Sequence, residues 1–129
     1  MQVAATFEIA NWDEQPFDVR DEAAKLTRAS VAKNYAGDII GTSVTEWLMA
    51  YNNDGTAEFV GIERISGSVG GRDGSLVLRH VGTFEDGAAK AELRIVSGTE
   101  DLGSAIGSGT MIADPNGRIS LTIEPAPST

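Results

Sequence analysis

The sequence predicts an all-β protein, an eight-stranded antiparallel up-and-down barrel, and three observations carry that prediction. Glycine supplies 15 of the 129 residues, and Thr, Val and Ile are frequent, a composition that suits strands better than helices. Turn signals recur at short, regular intervals: "NNDG" (52–55), "GGRDG" (70–74), "EDG" (85–87) and "DPNG" (114–117) each offer Gly or Asn for the positive φ of a tight β-turn. The segments between them are long for strands and follow one another as hairpins. Such hairpins must hide their edges, and closing the ring does so.

Taken in order, strands are expected at 2–11, 25–35, 38–51, 56–69, 74–84, 88–96, 102–113 and 118–123. After the first, "DEQPFDVRDE" (13–22) reads as an acidic loop around Pro16. The stretch "DEAAKLTRASVAKNY" (21–35) could open as a helix, since Ala, Lys, Leu and Arg favour one. Its tail "TRASVAKNYAGD" reads better as a strand, and most of the segment is assigned so. The third and fourth strands join through NNDG, the fourth and fifth through GGRDG, the fifth and sixth through EDG, and the last two through DPNG. One domain is expected over 1–124, with a flexible tail, "PAPST", at 125–129. There is no internal repeat.

A chain of 129 residues can bury a real core without disulfides or metal. It contains no cysteine, which removes disulfides, thiol chemistry and thiolate zinc sites and fits a reducing compartment. A single histidine excludes a multi-histidine metal site within one chain. The net charge of −9 would repel phosphate backbones and anionic lipid headgroups, so neither nucleic acid nor a membrane is expected as a partner. The N-terminus lacks the basic-then-apolar pattern of a signal peptide, and no apolar run reaches membrane-spanning length. A cytoplasmic location is expected.

The lone histidine lies inside "SLVLRHVGTFEDG" (75–87), an apolar run, and period-two alternation tells which way it points. In "AAKAELRIV", Lys90, Glu92 and Arg94 share one face and Ala89, Ala91, Leu93 and Ile95 the other, which must be the buried one. A two-residue turn at Asp86–Gly87 sets Phe84 opposite Ala89 and His80 opposite Leu93, so His80 faces inward with Leu76, Leu78, Gly82 and Phe84. An even loop within GGRDG brings Phe59, Gly61, Glu63 and Ile65 onto the same face. A two-residue turn at Asp54–Gly55 then adds Glu46, beside Val44 and Leu48. Three ionisable groups, Glu46, Glu63 and His80, are therefore expected in one apolar interior. They could trade protons as general acid and base, or brace the inner wall as a satisfied network.

Other patterns carry less. "GSAIGSGT" (103–110) and "GSVGGRDG" (67–74) fail the phosphate-loop spacings and precede no helix, and curvature explains their glycines. There is no G-x-S-x-G elbow. The acidic residues Asp13, Glu14, Asp18, Asp21 and Glu22 lack EF-hand spacing and read as a solvated loop. Trp12 raises the lipocalin G-x-W motif, but Ala10 stands at the Gly position. No metal and no cofactor is expected.

The segments "NWDEQPF" (11–17), "GDIIGTSVTEWLMAY" (37–51), "FVGIERISGSVGGRDGSLVLRHVGTF" (59–84) and "SGTEDLGSAIGSG" (97–109) together resemble a bacterial family of small uncharacterised proteins, described as a domain of unknown function with a fold like allene oxide cyclase. The resemblance spans nearly the whole chain, and "GR-x-GS-x-VLRH-x-G" (71–82) is its most specific part. It implies an eight-stranded antiparallel, allene-oxide-cyclase-like barrel and carries no activity or site residue with it. One position departs: Glu100 stands where a glycine is expected.

Three functions follow as expectations. The leading one is a barrel that binds an apolar or amphipathic small molecule in a lumen lined by Phe59, Leu78, His80, Phe84 and Leu93, with Gly61, Gly82, Ala89 and Ala91 leaving room. The second is a cofactor-free isomerase or cyclase using Glu46, Glu63 and His80. The third is a structural protein with a filled lumen. Val60, Ile62, Val77 and Val81 fall on the outer face and want cover, so a homo-oligomer is expected.

Overall fold

In a computed structural model, which describes residues 1–124, eight antiparallel strands close into a barrel in sequence order, β8 pairing back on β1. The tail expected at 125–129 lies outside the described residues. The strands are β1 (Gln2–Asp18), β2 (Lys25–Gly37), β3 (Ile39–Tyr51), β4 (Ala57–Val69), β5 (Arg72–Glu85), β6 (Ala88–Gly98), β7 (Ile106–Ala113) and β8 (Gly117–Glu124). Among the described residues a single 3-10 turn, Glu100–Leu102, interrupts them. Among the described residues no helix is long and apolar enough to cross a membrane.

Alternation builds the core. Val3, Ala5 and Phe7 on β1, Ala29 and Val31 on β2, Ile65 on β4, Leu76 and Leu78 on β5, Leu93 on β6, Met111 on β7, and Ile119, Leu121 and Ile123 on β8 all turn inward and are buried. The segment at 21–35 that could have opened as a helix is strand from Lys25 onward. Its inner positions Thr27, Ala29, Val31, Lys33 and Tyr35 repeat at period two, and tertiary pairing outweighs local helix propensity.

Two boundaries differ from the sequence expectation by more than two residues. The acidic segment after Asn11 is not a loop at first: β1 runs on to Asp18, past a bulge at Ala10 where Ile9 pairs with Lys33 and Asn11 with Ala32. The extra residue inverts the alternation, so Trp12 and Glu14 turn inward opposite Val31 and Ala29. Pairing with β8 has already ended at Phe7, so the backbone ladder of this second half of β1 runs to β2 alone. Strand β7 begins at Ile106 rather than Leu102, because the chain first makes the 3-10 turn that buries Leu102 in the core. Glu100 adopts φ 53° there, the backbone conformation a glycine would have supplied at no steric cost.

Candidate site in the barrel lumen

Loop length decides which side chains enter the lumen. The turn at Asp86–Gly87 has two residues, so Phe84 pairs with Ala89 and His80 with Leu93. The β4–β5 turn is also even: Val69 pairs with Arg72 across Gly70 and Gly71, Glu63 lies opposite Leu78, and His80 opposite Gly61. Glu63 is thus a diagonal neighbour of His80 on the inner face.

The β3–β4 loop breaks the pattern. Tyr51 pairs with Ala57, leaving Asn52, Asn53, Asp54, Gly55 and Thr56 as an odd loop rather than a two-residue turn at Asp54–Gly55. The Asp54 carboxylate accepts from the Thr56 backbone N–H (3.0 Å) and hydroxyl (2.7 Å), which stabilises the longer loop. Every side chain of β3 therefore faces opposite to the expectation. Glu46 is on the outer wall, not in the lumen, between exposed Val44 and Leu48, where it pairs with Arg28 across the strands. The Ser30 hydroxyl and the Arg28 guanidinium beside it hold its carboxyl below the usual range. Ser43, Thr45 and Trp47 take the inner positions instead.

These inward residues assemble around Glu63. One carboxylate oxygen meets His80 Nε2 at 2.8 Å. The other accepts from the Tyr35 hydroxyl (2.7 Å) and the Ser43 hydroxyl (2.6 Å), with Lys33 Nζ at 3.3 Å. The Trp47 indole N–H donates to His80 Nδ1 at 3.3 Å. An indole can only donate, so Nδ1 carries the lone pair and the ring proton sits on Nε2, directed at Glu63. Lys33, Glu63 and His80 are all at most 1% exposed. Among the described residues, Lys33 Nζ meets, beyond Glu63, only the Met111 sulfur (3.6 Å) and the faces of Phe7 (4.5 Å) and Trp47 (5.5 Å). The Thr45 hydroxyl, on the position opposite Glu63, is buried with no hydrogen-bond partner among the described residues.

Charge follows from burial and neighbours. Burial pushes the Glu63 carboxyl up, but the Lys33 charge and the His80 hydrogen bond, with the Ser43 hydroxyl, overcome it and hold it far below the usual carboxylate range. Burial lowers His80, and the Lys33 charge adds to this against the pull of Glu63, so the ring is neutral. Burial also lowers Lys33, while Glu63 offsets part of the effect. Within the buried cluster the Lys33 cation faces the Glu63 anion, and the two balance.

The second half of β1 curls toward this cluster. Glu14 accepts from the hydroxyls of Thr27 and Tyr51 (2.7 Å each) and from the Trp12 indole N–H (3.1 Å). Held this way, Trp12 stands edge-on against Trp47 with ring centroids 5.4 Å apart. Trp12 is 39% exposed and Trp47 1%, so a relay of side chains leads from solvent through Trp12 and Trp47 to His80.

Of the expected lumen residues, Phe59, Leu78 and Leu93 are buried in the core and Phe84 packs partly buried against it. The room expected at Gly61 and Gly82 is taken. A Cβ on Gly61 would meet Trp47 Cδ1 at 2.4 Å, and one on Gly82 would meet Phe59 Cζ at 2.6 Å. These glycines seat two aromatic rings. Sequence reading missed Lys33, Tyr35, Ser43, Trp47, Trp12 and Glu14. The first two had a visible signal in their period-two spacing with Thr27, Ala29 and Val31; the others depended on the odd loop and the bulge.

A profile of the family described as "Protein of unknown function (DUF3224)" matches residues 3–124. The chain is also similar to the crystal structure, at 1.84 Å resolution, of a protein with unknown function from the DUF3224 family of Shewanella oneidensis MR-1. The two share 25% identity and superpose with a TM-score of 0.78 over 98% of each chain. No functionally curated protein matches the sequence.

Proposed function

The chain belongs to the DUF3224 family, and from that premise we propose that the barrel binds a small amphipathic molecule whose polar end enters the lumen beside Lys33 and Thr45. The observation that carries the reading is the pair of unsatisfied donors there. The Lys33 ammonium has three hydrogens, yet its neighbours are one oxygen, a thioether and two aromatic faces, and the nearby Thr45 hydroxyl has no partner. Leaving such groups unpaired in an apolar interior costs folding free energy, and a ligand oxygen between them would recover it.

The lumen's charge selects the oxygen. Glu63 already balances Lys33, so a bound carboxylate would leave a net buried anion, whereas a carbonyl leaves the interior neutral. The favoured ligand has an apolar body and a neutral carbonyl head. The body would lie beside Trp47 and Phe59, and Trp12 marks the entrance. Glu63 has its oxygens occupied and acts as the brace of the wall. His80 has both ring nitrogens engaged, one by Trp47 and one by Glu63, which favours binding over proton transfer to a substrate. The allene-oxide-cyclase-like barrel implied by the sequence motifs fits this use, since eight strands enclose space for one small ligand. The absence of cysteine suits a reducing compartment, and we place the activity in the cytoplasm.

The chain's two tryptophans make the test direct. Titration with a medium-chain methyl ketone, 2-undecanone, should change intrinsic fluorescence saturably, and decanoate should bind at least tenfold more weakly. Thr45→Val, which keeps shape and adds no charge, should weaken ketone binding while circular dichroism shows an unchanged fold. No saturable response to the ketone, or equal affinity in Thr45→Val, would overturn the proposal.

A further inference from the structure

Lys33 has more hydrogens than its surroundings accept. Its ammonium carries three, and among the described residues its one oxygen partner is the Glu63 carboxylate, at 3.3 Å. The other neighbours are the Met111 sulfur and the faces of Phe7 and Trp47, which attract a cation but accept hydrogen bonds weakly. A protonated imine keeps the positive charge and has a single N–H. The wall around Lys33 therefore matches an iminium in both donor count and charge, and an ammonium in charge alone.

We propose that Lys33 captures an apolar-chain aldehyde covalently, as a protonated imine inside the barrel. This rests on the lumen reading above and names the chemical class of its ligand. An aldehyde carbon bears one chain and one hydrogen, so it brings the least bulk against Met111 and Phe7. The nitrogen is suited to the attack. Burial lowers the Lys33 pKa and brings the free amine within reach, which is how a desolvated lysine becomes a nucleophile.

The atoms balance without another reactant. The ammonium passes one proton to the Glu63 carboxylate. Its freed lone pair adds to the carbonyl carbon as the C=O π pair moves onto oxygen. A second proton goes from nitrogen to that oxygen, and the one held by Glu63 follows. The C–O bond then breaks, water leaves, and the nitrogen lone pair closes the C=N bond. Nothing is oxidised or reduced. The site ends as it began, with one cation facing the Glu63 anion. Lys33 is 1% exposed, so the bulk water that would hydrolyse the bond is kept out.

Native mass spectrometry with decanal tests it. The covalent complex should weigh one water less than chain plus aldehyde, whereas a non-covalent complex keeps the full sum. After gel filtration removes free decanal, reduction with borohydride in denaturant and peptide mapping locate the bond. Lys25 and Lys90 are the chain's other lysines, and both are exposed. Water reaches their imines, so the retained decyl group should be roughly tenfold more abundant on Lys33. Lys33→Arg, which keeps the charge beside Glu63 but cannot form an imine, should retain no decyl group at that position. A complex of full additive mass, no complex with decanal, or a decyl group no more abundant on Lys33 than on the exposed lysines would each sink the covalent proposal. Saturable binding of 2-undecanone alongside any of those results would leave the lumen reading standing. Failure of both ligands would remove the two together.

Discussion

His80 sits on its buried nitrogen pair as a neutral ring, donating through Nε2 to Glu63 and accepting at Nδ1 from Trp47. Because burial and the Lys33 charge both lower its pKa, its NMR titration midpoint should lie below the ordinary free-imidazole value of about 6.5. As the chain's only histidine it has no competing signal. A titration midpoint at the free value with rapid solvent exchange would contradict the sealed pair. Gly61 is a second residue whose identity is dictated by contact. A methyl group there would meet the Glu46 carbonyl at 2.2 Å and the Trp47 ring at 2.4 Å, so Gly61→Ala should lower unfolding free energy by about 1–3 kcal/mol. Denaturant unfolding checks it, and an unchanged midpoint would mean that the ring does not rest on the glycine.

Strand β6 shows the two-faced logic of each wall most plainly. Leu93 is buried against the core while Lys90 faces solvent on the same strand. Leu93→Asp should destabilise severely by placing an unpaired carboxylate among apolar side chains, and Lys90→Asp should stay within about 0.5 kcal/mol of wild type. Equal melting temperatures would refute the face assignment. In β1 the element changes character halfway. Beyond Phe7 its outer edge is unpaired, and the Ala10 bulge, Pro16 and the charges of Asp13 and Asp18 are devices that discourage another strand from adding to it. Glu14 fastens this half to Thr27 and Tyr51. Glu14→Ala in a Trp47→Phe background should raise acrylamide quenching of Trp12 about twofold or more, and unchanged quenching would show that Glu14 holds nothing down.

For the whole molecule, the buried cluster couples stability to acid. His80 has a folded pKa below its unfolded one, so between those values the unfolded chain binds more protons and stability falls as pH drops below about 6.5. Glu63, also depressed, contributes fully above its unfolded value of about 4.5 and loses that contribution as pH falls below it. Melting temperature should therefore decline in two stages from pH 7 to pH 3. His80→Gln should remove the first stage and keep the second. A flat profile between pH 7 and 5 in the wild type would contradict the neutral buried imidazole.

Strand count, antiparallel order and the inner faces of β5 and β6 were legible in the chain itself. They rest on local rules, namely turn residues, alternation and a two-residue turn at Asp86–Gly87 that carries parity from one strand to the next. Through the even turn at Gly70–Gly71 the same rules reached Glu63 correctly. They failed at Glu46 because a loop's length is set by how Asp54 and Thr56 satisfy each other, and one residue more or fewer inverts a whole strand. They failed at Trp12 and Glu14 because a bulge leaves no mark in composition. The Lys33 environment was beyond any local rule. Its ammonium rests on Met111, 78 positions away, and on Glu63, Phe7 and Trp47 from three other strands. Alternation says only that a side chain points inward; closure of the ring decides what it meets there.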